Sequence, residues 1–147
     1  MNEIKPFDDV YFNLVKENLS KFIIYEPDFT HITANWSELV ESFSDEIIMQ
    51  YSVGDYSGDY YFVIKLKSYY GFVSIAYGSC SGCDALEGCE SLDELNSLQN
   101  SVWNDIRWFS TLDDLKQWAN KYDWEGCEYI SGEQLIEFKN VMNALSN

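Results

Sequence analysis

Four cysteines are the residues whose type and spacing most directly suggest chemistry: Cys80, Cys83, Cys89 and Cys127. Cys80-x2-Cys83 is the spacing with which two thiolates hold one zinc ion, and Cys89 and Cys127, or His31, would complete four ligands. A paired CxxC…CxxC would be a strong signal, and this chain has a single CxxC. Zinc is therefore an alternative reading, and otherwise no cofactor is expected. Cys80-Ser81-Gly82-Cys83 also has the spacing of a thiol–disulfide exchange pair. Against that, the strand before it belongs to a meander, not to a βαβ unit, and Pro6 and Pro27 both lie far upstream. The favoured expectation is structural: the glycines shape a tight turn and the cysteines pack as small hydrophobes. The N-terminus, MNEIKPFDDV, lacks a basic stretch followed by an apolar one. A cytoplasmic setting is expected, with reduced thiols and no disulfide framework.

Other catalytic constellations are poor. His31 is the single histidine and sits in a turn-like segment, Asp28-Phe29-Thr30-His31. With 25 acids, any two carboxylates could be paired on paper, so such pairs carry no signal. No Walker loop or GxGxxG is present, and no enzymatic activity is expected.

The charge is the most unusual bulk feature: 25 acids face nine bases, for a net charge of −16. The acids are spread, 12 in residues 1–78 and 13 in residues 79–147, so the whole surface must be negative. Such a surface repels nucleic acid and anionic membranes and attracts basic proteins, while also serving solubility. The acidic–aromatic segment Asp55-Tyr56-Ser57-Gly58-Asp59-Tyr60-Tyr61 suits a protein interface, because tyrosines supply binding energy at such sites. The competing reading is a hairpin with cross-strand tyrosine pairs. Asp55, Tyr56 and Asp59, with the helix-start acids Asp93, Glu94, Asp113 and Asp114, are the candidate partner-binding residues.

These residues must be positioned by elements that the pattern predicts. One helix is expected over 6–20, with Phe7, Val10, Leu14 and Val15 on its apolar stripe. A second starts at Asn35, which forms a capping box with Glu38. The strands 47–53, 60–67 and 69–77 have short links and predict an antiparallel meander. A helix over 92–106 follows the Ser91/Glu94 capping box. Residues 107–109 read as a short strand, Ser110 or Thr111 caps the next helix, and Ser131 opens the last. Trp103, Trp108 and Trp118 fall on apolar stripes and are assigned to the core. With 147 residues and 46% apolar content, one α+β domain is expected, a three-stranded antiparallel meander with helices from both chain ends packed on one face.

The string Tyr77-Gly-Ser-Cys-Ser-Gly-Cys-Asp-Ala-Leu86, with Gly58-Asp59-Tyr60, Tyr70-Gly71-Phe72 and Asp123-Trp124-Glu125-Gly126, resembles an uncharacterised family of small acidic proteins of phages and bacteria. The resemblance covers roughly residues 50–130. It implies a phage or prophage setting and supplies no catalytic residue. Charge and setting together lead to the expectation of an accessory protein that binds a basic host or defence protein, as a DNA mimic or anti-defence inhibitor would. The alternatives are a zinc-stabilised interaction module and an enzyme of unknown reaction.

Overall fold

A computed structural model describes residues 2–80, 82–125, 127 and 130–146. Its elements in chain order are β1 (Glu3–Ile4), α1 (Asp9–Val15), a 3-10 turn (Ser20–Phe22), β2 (Ile23–Tyr25), β3 (Thr30–Ile32), α2 (Trp36–Glu41), β4 (Glu46–Gly54), β5 (Gly58–Leu66), β6 (Tyr69–Tyr77), α3 (Leu92–Asp105), β7 (Arg107–Phe109), α4 (Leu112–Lys121) and α5 (Gly132–Ala144). The chain is α+β. The meander β4–β5–β6 is present, but it is the greater part of a five-stranded antiparallel sheet in the order β1-β7-β6-β5-β4. A separate two-stranded sheet joins β2 to β3. The three-stranded expectation is corrected because β7 adds to the edge of β6, and β1 then pairs Glu3 with Phe109. Two residues of β1 carry no local strand signal; their partner lies at the far end of the chain.

The helices do not share one face of the sheet, as expected, but cover both. The reason lies in β5. Phe62, Val63 and Ile64 are all fully buried, and a strand buried on both faces reads as a continuous apolar run. Phe62, Ile64 and Leu66 point into a core with Leu39, Val40, Leu95 and Trp103 of α2 and α3. Tyr61 and Val63 point into a second core with Leu115, Trp118, Phe138 and Met142 of α4 and α5. A register shift between Ile47 and Met49 inserts one residue into β4. Ile47 thereby faces the first core and Met49 the second, although they are two apart. The same bulge sets Gln50 opposite Phe62, on the α2 side.

Local signals account for the helix starts. Asn35 accepts from the Glu38 amide at 2.8 Å and Glu38 returns the contact to the Asn35 amide at 3.0 Å. Ser91 and Thr111 cap α3 and α4 by accepting from the Glu94 and Asp114 amides, but the Ser91/Glu94 pair is not the reciprocal box expected, because the Glu94 carboxylate accepts from the Glu90 amide instead. The 6–20 helix is corrected: Asp8 caps at Tyr11, leaving Pro6 outside, and the helix ends where Lys16 turns extended. Its apolar phase differs too. Phe12 is buried, whereas Val10 and Leu14 of the expected stripe are exposed. Among the described residues no helix is long and apolar enough to cross a membrane.

Candidate functional site

A groove of about 560 Å³ opens on the α2 side of the sheet. Its walls come from β3, the start of α2, the ends of β5 and β6, and the loop that follows β6. The capping box fixes where α2 begins and so sets Trp36 at its first position, over the groove floor. Tyr60 and Tyr77 form one wall as stacked rings with centroids 4.3 Å apart. The Tyr77 hydroxyl reaches the Val53 carbonyl at 3.1 Å and the Asp55 carbonyl at 3.4 Å, which ties the β4–β5 hairpin to this wall.

Asp84 organises the floor. It is buried, and its carboxylate accepts from the Trp36 indole Nε1 (3.2 Å) and from the amides of Gly78 (2.9 Å), Leu86 (2.9 Å) and Glu87 (3.1 Å). Four N–H donors and no acceptor is the bonding pattern of an ionised carboxylate. None of the four partners is a base, so backbone and indole dipoles balance the charge locally while the site stays negative.

The glycine and cysteine readings of this loop change in the structure. A Cβ on Gly78 would lie 2.3 Å from the Cys83 carbonyl oxygen, whereas one on Gly82 would meet nothing within 4 Å. Only the first glycine is required by a close approach. Gly78→Ala is expected to cost about 1–3 kcal/mol, and Gly82→Ala less than about 0.5 kcal/mol, in urea unfolding. Equal costs would contradict this packing. Cys80 and Cys83 are held side by side in the turn, sulfur against sulfur. The turn that donates the Cys83 amide to the Cys80 carbonyl at 3.1 Å brings their Cα atoms to 5.3 Å, within bridging range. Both are exposed rather than packed as hydrophobes, and Ser81 between them lies outside the described residues.

The remaining cysteines are half-buried and far apart in the fold. Cys89 lines the groove and packs on the first core; Cys127 packs on the second, across the sheet. Burial and then the neighbouring Glu94 and Asp84 push the Cys89 thiol up from its ordinary range. Burial followed by Asp59 and Asp123 does the same to Cys127. Among the described residues, no group of three or more His, Cys, Asp or Glu side chains converges as a metal site. His31 is exposed on the groove rim, its ring edge-on to Phe29 at 4.5 Å.

The seven candidate partner-binding residues do not form one patch. Asp55 and Tyr56 are exposed at the β4–β5 hairpin tip, Tyr56 at 80%. Asp59 is half-buried and lies on the opposite face from Tyr60, where its charge acts on Tyr61. There it lines a smaller cavity of about 330 Å³ with Phe72, Trp118 and Cys127. Burial, reinforced by Asp59, drives the Tyr61 hydroxyl far above its ordinary pKa. Asp93 and Glu94 start α3 on the first-core side; Asp113 and Asp114 start α4 on the second. Glu94 accepts from the Glu90 amide, and Asp114 from Asn2, so these two also serve the fold. The Asp123-Trp124-Glu125-Gly126 string ends on residue 126, which, with residues 128 and 129, lies outside the described residues.

Gln50, Asp84 and Glu87, all lining the groove, carry no sequence pattern that singles them out, and Trp36 reads only as part of the apolar stripe of α2. Asp84 was visible as the residue after Cys83, but a signal for its role existed only in retrospect: an acid followed at once by two amides that it caps. No protein-family model, no curated protein and no solved structure matches this chain.

Proposed function

We propose that this chain is a non-catalytic binding protein. It occupies the basic surface of a host protein that handles nucleic acid or acts in defence, and so inhibits it. The resemblance of the 77–86 string to small acidic phage and bacterial proteins supplies the setting. The observation that carries the reading is the uncompensated charge. Among the described residues, the ion pairs are Glu17–Lys21 and Glu3–Arg107, both at the surface. Nine bases cannot neutralise 25 acids, so an excess of 16 negative charges remains without internal compensation. Exposed carboxylates of this kind steer a basic partner and accelerate its association.

Asp55, Asp93 and Asp113 are exposed, and their side chains make no hydrogen bond among the described residues. They are the positions to reverse. A host protein captured from lysate at low salt should associate about tenfold or more slowly when salt rises from roughly 0.05 to 0.5 M, since screening shortens the reach of the field. The triple variant D55K/D93K/D113K should associate more slowly at low salt and show a flatter salt dependence, with an unchanged circular dichroism spectrum. An association rate and affinity indifferent to salt would leave the charge to solubility and defeat the proposal.

A further inference from the structure

We infer that the groove over Asp84 is the anchor point of the proposed interface and takes an arginine side chain of the partner protein. This rests on the reading of the chain as a binder of basic proteins and names the chemistry of its central contact. Three observations carry it. First, no Lys or Arg lines the groove, while two carboxylates, Asp84 and Glu87, do. Asp84 is buried and bonded only to N–H groups, so its charge meets no internal base. A carboxylate recessed in a cleft focuses a negative potential there.

Second, the wall is aromatic. Tyr60 and Tyr77, stacked on each other, line the groove together with Trp36, and flat guanidinium groups stack on such faces while their N–H fork reaches carboxylate oxygens. Glu87, exposed at the edge of the groove, and the Gln50 side-chain oxygen, which also accepts from the Ser37 hydroxyl at 2.9 Å, are two acceptors within this lining. Third, the chain builds the same arrangement once for itself. The Arg107 guanidinium lies 5.2 Å from the Trp118 ring centroid and 5.7 Å from that of Tyr122, and donates to Glu3 at 2.9 Å. Arginine is also the charged residue most enriched at the energetic centre of interfaces. The exposed Tyr56 stands on the hairpin tied to this wall, where it would flank the inserted side chain.

The test uses the whole protein at low salt, labelled with ¹⁵N, and titrated to millimolar concentrations with the peptide acetyl-Gly-Arg-Gly-Arg-Gly-amide. The reporters are the Trp36 indole N–H and the Gly78 amide, both bonded to Asp84. Both signals should shift and saturate together. The uncharged peptide with citrulline in place of arginine should not shift them, and the lysine peptide should bind more weakly. Glu87→Gln, an exposed change, should weaken the arginine peptide by about fivefold through loss of one charge-assisted contact. Equal shifts with citrulline or lysine would overturn the assignment of the groove to arginine. Shifts confined to other acidic positions, with Trp36 and Gly78 silent, would overturn it while leaving the charge-driven reading standing. No shift anywhere in the protein would overturn both.

Discussion

Replacing Asp84 by alanine is expected to lower the thermal midpoint by about 6–20 °C, the largest effect of any single polar substitution in this chain. The argument is a count of donors. The Trp36 indole and the amides of Gly78, Leu86 and Glu87 all lose their acceptor at once. Trp36 and Leu86 are more than nine-tenths buried, so water cannot readily replace the carboxylate at every position. A buried donor left unpaired costs about 1–3 kcal/mol, and the exposed edge of the loop lowers the total to about 3–5 kcal/mol. Asp84→Asn separates shape from bonding. It keeps one carbonyl oxygen for two of the donors but turns an NH₂ toward the others, and should fall between alanine and the parent. A loss under about 2 °C for Asp84→Ala would mean that the loop after β6 holds its form without this carboxylate. The loop's cysteines would then have to carry the structure alone.

That expectation could not have been reached from the sequence, and the reason is distance along the chain. Trp36 and Asp84 are 48 residues apart, and nothing in either neighbourhood announces the other. What the sequence does announce is local. The capping pair Asn35 and Glu38 lies within one helical turn, and the helix starts where it says. Residues 69–77 read as a strand set off by short links, and the strand has those bounds. The α1 region failed for an equally local reason: Asp8 outcompetes Pro6 for the helix start, which shifts the buried phase from Val10 and Leu14 to Phe12. Non-local pairing was illegible throughout. Glu3 opposite Phe109 closes the sheet through contacts that cost loop-closure entropy and leave no periodic trace. The candidate site suffered most. Cysteines draw attention by type, so Cys80 and Cys83 masked the aspartate beside them that organises the groove.

The two-faced sheet leads to the second large effect. Phe62→Ala and Phe138→Ala are each expected to destabilise by about 3–5 kcal/mol, because each deletes a ring from a closed core and leaves a cavity. Both side chains are fully buried, but they serve different cores. Phe62 packs with the α2 and α3 side, and Phe138 touches Tyr61 at 5.1 Å and Trp124 at 5.2 Å between ring centroids on the other. Had the helices covered one face only, residues of adjacent parity on β5 could not both be critical. Here Tyr61 and Phe62 are, since both faces of the strand are roofed. The sheet also makes the two cores one cooperative unit, because β5 contributes alternate residues to each. A milder pair tests that point without unfolding the protein. Ile64→Val in the first core should cost about 0.5–1.5 kcal/mol and Met142→Ala in the second about 2–5 kcal/mol. They lie in different cores on opposite faces of the sheet, so the double variant should equal their sum within about 0.5 kcal/mol. Urea unfolding followed by tryptophan fluorescence and by circular dichroism should give one coincident transition for every variant. Two separated transitions, or a Phe138→Ala cost below about 1 kcal/mol, would show that the α4–α5 layer is not bound to the sheet as a core.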